Sequence, residues 1–213
     1  MTRIPILQPG QSYTFRQYFE LPFESDDILA ELGYSLERVE LALTRYSGKL
    51  DRLEESQRRI RENLQYASLS SEQARRELLV APIITDLCYY THSQLRIEYP
   101  LVVNDWLKGN LDYLVRANTM FLVVEAKNDD LTRGFTQLSA ELIALEQWSS
   151  LGENSGKDTG PSILYGAVTT GDVWKFGQLH RNKKCIVQDI NLYKIPGDFE
   201  DLMRILVATL ASD

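Results

Sequence analysis

Residues 121 to 127 read FLVVEAK, and this stretch decides how the chain can fold. Four apolar residues in a row are typical of a buried strand, yet the run ends with an acid, an alanine and a base. Side chains at i and i+2 share one face of a strand, so Glu125 and Lys127 point to one side and Ala126 to the other. The sequence therefore predicts a strand that carries two opposite charges to one spot near its end.

A second acid lies on the preceding strand candidate. In GNLDYLV, residues 109–115, Asp112 stands among apolar residues, where an acid is costly unless it is paired or bound to a metal. The turn at 117–119 is short, so the two strands should be antiparallel neighbours with Asp112 beside Glu125. Two carboxylates and the carbonyl of Ala126 would then surround one position, which suits Mg²⁺ or Mn²⁺.

Lys127 shares the face of Glu125 and would neutralise charge as a phosphodiester is attacked. Taken alone, Glu125 and Lys127 are more commonly a same-face ion pair at a strand end, and such pairs usually contribute only about 0 to 1 kcal/mol. Asp112 on the neighbouring strand makes the cluster more costly unless a cation is present. The three residues together therefore favour a metal site.

The pattern around these strands predicts the order helix, three strands, helix, strand. A helix capped by Ser70 or Ser71 should run to about Tyr90. It is followed by strands at 94–103, 110–116 and 120–127, a helix at 130–149, a surface loop at 151–162, strands near 162–170, 173–180 and 184–194, and a last helix ending near residue 210. This order predicts an α/β domain over residues 70–213.

An N-terminal extension, residues 1–69, has a different pattern. Between residues 35 and 66, seam positions recur at alternating spacings of three and four: Leu36, Val39, Leu43, Tyr46, Leu50, Leu53, Gln57, Ile60 and Leu64. This predicts one long helix, which either packs on its own domain or forms a seam between two chains. At about 45 to 50 Å it would be longer than one domain needs, so we expect a homodimer with these helices at its centre.

The overall charge argues against general attraction to nucleic acid. The formal net charge is −7 and the pI is near 5.0, so a nucleic-acid partner needs a local basic patch. Arg181, Lys183 and Lys184 form the densest basic cluster of the second half, which is either a solvated hairpin tip or a set of phosphate contacts. A bound divalent cation also lets an acidic chain act on phosphodiesters, because the ion reverses the local charge.

The sequence indicates a cytoplasmic protein that does not enter a membrane. No stretch approaches the roughly 20 apolar residues of a membrane span, and the first residues lack the apolar segment of a secretory signal. Cys88 and Cys185 lie far apart and do not form a disulfide framework.

Asp112, followed by Glu125-Ala126-Lys127 at the end of an apolar strand, resembles the D…(D/E)-x-K signature of the PD-(D/E)XK nuclease superfamily. Leu111 stands where the motif's name has proline. The resemblance covers about residues 70–170 and implies a restriction-endonuclease-like core.

The neighbouring helices add to this resemblance. The run SEQARRELLVAPIITDLC is similar to the E-x-x-x-R…P-L-L run before the motif in nuclease domains of type I restriction subunits, which matches Glu72, Arg76 and Pro82. Gln137, in the helix after the motif, matches a glutamine that is frequent beside the active site of this family. Read from the residues alone, Glu72 and Arg76 are also typical of an i, i+4 pair on a solvated helix face.

The resemblance implies a metal-dependent nuclease that hydrolyses DNA. Asp112, Glu125 and the Ala126 carbonyl would hold Mg²⁺ or Mn²⁺, and Lys127 would organise the attacking water. Glu72 would support the metal shell, and Gln137 would position a ligand or the lysine. The alternative is a nuclease-like scaffold that binds nucleic acid or a protein partner without cutting.

Overall fold

A mixed sheet of eight strands organises the chain in the computed structural model, which describes residues 5–118, 120–127, 129–151 and 161–211. The strands are β1 (Ser35–Val39), β2 (Gln94–Val102), β3 (Lys108–Ala117), β4 (Met120–Ala126), β5 (Ile163–Thr169), β6 (Val173–His180), β7 (Cys185–Asp189) and β8 (Tyr193–Lys194). The helices are α1 (Phe15–Glu20), α2 (Ser25–Glu31), α3 (Leu53–Tyr66), α4 (Glu72–Arg75), α5 (Ala81–Thr91), α6 (Leu131–Leu151) and α7 (Phe199–Leu210). A π-helical turn, Arg76–Val80, joins α4 to α5.

The sheet has the order β1-β7-β6-β5-β4-β3-β2, and β8 pairs with β6. The pairs β1–β7 and β4–β5 are parallel, and the other pairs are antiparallel. The hairpin between β3 and β4 has the short turn that the sequence predicts.

Helices cover both faces of the sheet. α1, α2 and α6 pack on one face, whereas α5 and α7 cover the other with α3 packed across them. Along β4, Val124 and Ala126 belong to the apolar cluster under α5 and α7, and Val123 belongs to the cluster under α6. Because Glu125 shares the face of Val123, it points towards α6.

The predicted order of helix, three strands, helix and strand is confirmed, with bounds that differ by at most two residues. The single strand predicted near 184–194 is wrong, because this stretch forms two short strands, β7 and β8, which each pair with β6. The leading helix begins where the sequence places its cap, since the Ser71 hydroxyl accepts the N–H of Ala74 at 3.1 Å. Most of the predicted surface loop at 151–162 lies outside the described residues. No described helix is long and apolar enough to cross a membrane.

The long helix predicted over residues 35–66 is wrong for its first half. Its first residues form β1, which pairs with β7, and the helix α3 begins only at Leu53. The strand covers an edge of β7 that would otherwise be open, and a helix here would carry Gly48 in its interior at a cost of about 1 kcal/mol. The segment between β1 and α3 is fixed by Arg204 on α7, because the Arg204 guanidinium donates to the carbonyls of Tyr46 and Gly48.

The predicted seam lies inside this chain's own core. Most of its apolar positions belong to or pack against the cluster around α5 and α7, namely Leu43, Tyr46, Leu50, Leu53, Ile60 and Leu64. The Gln57 amide donates to the carbonyl of Pro196 at 3.1 Å. The homodimer was predicted because these apolar positions were expected to be free to pack against a second chain. They are instead packed within this chain, so that reason for a homodimer no longer holds. Residues 1–69 are also more than a helical extension, since they supply β1 and helices to both faces of the sheet.

Candidate active site

A pocket of about 620 Å³ lies at the end of β4 and under α1. The structure brings to this pocket all five side chains that the sequence predicts as catalytic: Glu72, Asp112, Glu125, Lys127 and Gln137. Among the described residues of its lining, six are acidic and three are basic. A polyanion would therefore be repelled from the pocket unless a cation reversed the local charge.

The pairing of β3 with β4 places the two acids side by side. Tyr113 lies opposite Val124, so extending the register by one residue sets Asp112 opposite Glu125. Opposite residues of an antiparallel pair point to the same face. Asp112 is also fixed by the backbone, because its Oδ2 accepts the N–H of Ala126 at 2.9 Å.

Buried polar side chains surround Glu125, which is 1% exposed. Its Oε1 accepts from the Lys127 ammonium at 2.5 Å and from the Gln137 amide nitrogen at 2.7 Å. The same amide nitrogen donates to Oε1 of Glu141, one turn further along α6, at 2.9 Å. The amide of Gln137 is therefore held between two carboxylates.

Three buried oxygens of this cluster have no hydrogen-bond partner among the described residues: Glu125 Oε2, Gln137 Oε1 and Glu141 Oε2. Glu125 and Gln137 line the pocket, so a ligand there can reach them. Unpaired buried acceptors are costly, and a divalent cation with its water ligands supplies what they lack. The donor set of Asp112 and Glu125 thus fits a hard cation such as Mg²⁺ or Mn²⁺.

No group of three or more histidine, cysteine, aspartate or glutamate side chains is placed to hold a metal ion in the part of the chain that the structure describes. The predicted set is smaller, with two carboxylates and the Ala126 carbonyl. Magnesium usually keeps several water ligands and is held by one or two carboxylates.

The electrostatics of the cluster follow from its burial. Burial raises the pKa of Glu125 to about 8, and the Asp112 carboxylate adds to this effect, whereas Lys127 opposes it. Burial and the charge of Glu125 raise the pKa of Glu141 well above its ordinary value. Burial also raises the pKa of Asp112, against the opposing charge of Arg76. The pocket therefore holds more carboxyl groups than its basic residues can neutralise.

Arg76 is a further positively charged side chain of the pocket, besides Lys127. Its guanidinium lies 3.3 Å from Asp112 and 2.6 Å from Glu98 on β2. Arg76 therefore pairs with Glu98 and Asp112, and not with Glu72 one turn before it on the helix. The sequence resemblance named Arg76 without a role, and Glu98 gave no signal because nothing in the sequence shows which residue of β2 lies beside Asp112.

Sequence reasoning also missed the residues that α1 adds to the pocket. Arg16, Phe19 and Glu20 line it, and the Lys127 ammonium lies 5.3 Å from the centre of the Phe19 ring. Glu141 was missed as well, although its spacing of four from Gln137 on a helix was a usable signal.

The basic cluster of Arg181, Lys183 and Lys184 lies away from the pocket. It forms the turn between β6 and β7, at the end of β6 that pairs with the start of β5. The pocket lies at the other end of these strands, where Glu125 pairs with Val168. Arg181 is itself buried, 4.0 Å from Glu146.

A scan against protein-family models finds none that matches this chain, and a search of curated proteins finds no relative. The residues and their geometry are therefore what supports a function.

Proposed function

We propose that this chain is a metal-dependent nuclease with a restriction-endonuclease-like core, which hydrolyses phosphodiester bonds of DNA in the cytoplasm. One observation carries the proposal. Asp112 and Glu125 lie opposite each other on adjacent strands, Lys127 contacts Glu125, and the buried Oε2 of Glu125 has no hydrogen-bond partner among the described residues. This is the arrangement that the D…(D/E)-x-K resemblance implies.

Asp112, Glu125 and the Ala126 carbonyl would hold Mg²⁺ or Mn²⁺. When bound, the ion would polarise a phosphoryl oxygen and lower the pKa of a water ligand. The N–H of Ala126 keeps the Asp112 carboxylate turned towards Glu125.

The remaining groups act by position and charge. The Lys127 ammonium lies in the pocket beside Glu125 and would neutralise charge that develops on the phosphate. Gln137 holds Oε1 of Glu125 through its amide nitrogen and directs its own carbonyl oxygen, which is unpaired among the described residues, to a water or ligand. Glu72, which lines the pocket, would accept hydrogen bonds from water around the ion.

The test uses the purified chain, supercoiled plasmid and a choice of Mg²⁺, Mn²⁺ or EDTA. Nicked or linear DNA should form with either metal and not with EDTA. Asp112→Ala should lose both Mn²⁺ binding in calorimetry and cleavage. Lys127→Ala should keep Mn²⁺ binding and lose cleavage by about 100-fold or more.

Lys183→Ala is the matched control, since it removes a lysine far from the pocket and should cut like the unmodified chain. Unchanged Mn²⁺ affinity in Asp112→Ala would rule out the metal assignment. Metal binding and metal-independent DNA binding without any cleavage would favour the scaffold that does not cut.

A further inference from the structure

Three acids form one row across three neighbouring strands. Ile97 lies opposite Tyr113 and Tyr99 opposite Leu111, so Glu98 stands beside Asp112 in the register of β2 and β3. Asp112 in turn stands opposite Glu125. All three acids line the pocket.

Arg76 connects two members of this row. Its Nη2 lies 2.6 Å from Oε1 of Glu98, and its Nη1 lies 3.3 Å from Oδ1 of Asp112. The side chain of Arg76 is 20% exposed and that of Asp112 is 14% exposed, so water screens this pair only in part. The shorter contact joins Arg76 to Glu98, and the longer one joins it to the predicted metal ligand.

The backbone around this bridge departs from regular structure on both sides. Glu98 has a φ of +50°, a left-handed conformation that residues other than glycine seldom adopt, and it interrupts the pairing between β2 and β3. Arg76 begins the π-helical turn, which is rare and often found at functional sites. Tyr113 supports the arginine, with its ring centre 5.4 Å from the guanidinium carbon and its hydroxyl donating to the Arg76 carbonyl at 3.4 Å.

We infer that Arg76 is a phosphate-binding residue of the proposed nuclease site, kept in place by Glu98 and used as the counter-ion of Asp112 until a metal ion binds there. The ligand is an anionic, non-bridging oxygen of the phosphodiester. This inference rests on the proposed function, and it adds a residue and a binding step to it.

The order of events follows from charge and geometry. The Arg76 guanidinium lies 3.3 Å from Asp112 and would be repelled by a divalent cation held there, so this longer contact would be the one that is lost. The contact with Glu98 would keep the side chain at the pocket, and Nη1 would then be able to donate to a ligand. A guanidinium is always charged and more weakly hydrated than an ammonium, so Nη1 would suit a phosphate oxygen while Nη2 stays on Glu98.

The experiment separates the two roles with Arg76→Gln. Mn²⁺ affinity is measured by calorimetry without DNA, and binding of a short single-stranded oligonucleotide is measured by fluorescence anisotropy in Ca²⁺, so that neither readout needs cleavage. Mn²⁺ should bind about tenfold more tightly, because a competing cation is gone. The oligonucleotide should bind more weakly, with a log–log salt slope smaller by about 0.7, which corresponds to one lost phosphate contact.

Glu98→Gln gives a second and milder change. It keeps an oxygen that accepts from Arg76 but removes the charge, so the guanidinium should move closer to Asp112 and Mn²⁺ affinity should fall several-fold. Arg116→Gln, at the far end of β3, removes the same charge as Arg76→Gln outside the pocket and should change neither readout. Thermal unfolding of each variant shows that it is folded.

Unchanged or weaker Mn²⁺ binding in Arg76→Gln would show that Arg76 supports Asp112 rather than competing with the metal. Tighter Mn²⁺ binding with an unchanged salt slope would show a counter-ion that does not touch phosphate. Either result overturns the inference. If the unmodified chain binds Mn²⁺ and oligonucleotide yet never cuts DNA, the proposed nuclease function fails, while these two readouts still decide the role of Arg76.

Discussion

Gln137 joins the two carboxyl groups of the buried cluster. Its single amide nitrogen donates to both Glu125 and Glu141, and both acids are fully buried. A buried acceptor that loses its donor costs the free energy of removing it from water, typically about 1 to 3 kcal/mol. The glutamine therefore has a structural role as well as the proposed catalytic one.

Gln137→Leu should lower the free energy of unfolding by about 1 to 3 kcal/mol, because two buried carboxyl groups lose their shared donor. Urea denaturation at pH 7 measures the change. Gln73→Leu is the matched control, since Gln73 also donates to a glutamate one turn away, at 2.9 Å to Glu77, but on an exposed helix face. The control should change stability by less than about 0.5 kcal/mol. Equal effects in the two variants would mean that Gln137 does not hold the cluster together.

The turn between β6 and β7 is basic, but its position in the sheet keeps it from contacting a ligand in the pocket. From the sequence, Arg181, Lys183 and Lys184 are either a solvated hairpin tip or a set of phosphate contacts. The antiparallel pairing of β5 with β6 places this turn at the end of the sheet away from Glu125. Composition reveals a basic cluster but not the end of the sheet at which it lies.

Replacing both Lys183 and Lys184 with glutamine should leave the salt slope of DNA binding unchanged, because the turn lies too far from the pocket to contact a bound phosphate. The measurement is fluorescence anisotropy of an oligonucleotide in Ca²⁺ over a range of salt concentrations. A slope that falls by about 1.4, as expected for two lost contacts with a single strand, would restore the turn to the interface.

The segment around α3 gives a second test at this level. Leu50 is 8% exposed and packs in the cluster that contains Ile60, so it is core rather than part of a free seam. Leu50→Asp should leave the chain largely unfolded, because an unpaired charge cannot be solvated there. Tyr66→Asp, at a side chain that is 78% exposed, should fold normally. The seam hypothesis instead expects Leu50→Asp to convert a dimer into a folded monomer. Circular dichroism shows whether the variant is folded, and light scattering shows whether the unmodified chain is a dimer.

The local sequence pattern correctly predicted the helices and strands that carry the site. It failed where contacts with distant parts of the chain determine the structure. The apolar run before Glu125, the short turn after Ala117 and the cap at Ser71 are all local signals, and the order built on them is confirmed. Residues 36 to 50 have helical spacing, but an open edge of β7 and the contacts of Arg204 determine their structure. Glu98 and the residues of α1 line the pocket because β2 pairs with β3 and α1 packs on α6 and β3. These contacts join distant parts of the chain, so the spacing of residues in the sequence does not predict them.

At the scale of the whole molecule, the buried acids link stability to pH and to metal. In the folded chain burial raises the pKa of Glu125 from its ordinary value of 4.5 to about 8, and the pKa of Glu141 is also raised. Between those values the unfolded chain has released protons that the folded chain still binds. The contribution of these groups to stability is therefore fully present below pH 4.5, and it is lost as the pH rises from 4.5 to 8.

Without metal, the free energy of unfolding should thus decrease from pH 5 to pH 8 by an amount on the order of a few kcal/mol. Excess Mg²⁺ at pH 8 should restore part of this loss, because it binds the ionised carboxylates of the folded state and not those of the unfolded chain. Urea denaturation at both pH values, in EDTA and in Mg²⁺, measures both effects. Glu141→Gln removes one of the two acids and leaves the predicted metal ligands in place, so its pH dependence should be smaller while the effect of Mg²⁺ persists. Stability that rises between pH 5 and pH 8 in EDTA would instead mean that Lys127 and Arg76 already keep the buried carboxylates ionised, and the cluster would then have no need of a metal ion.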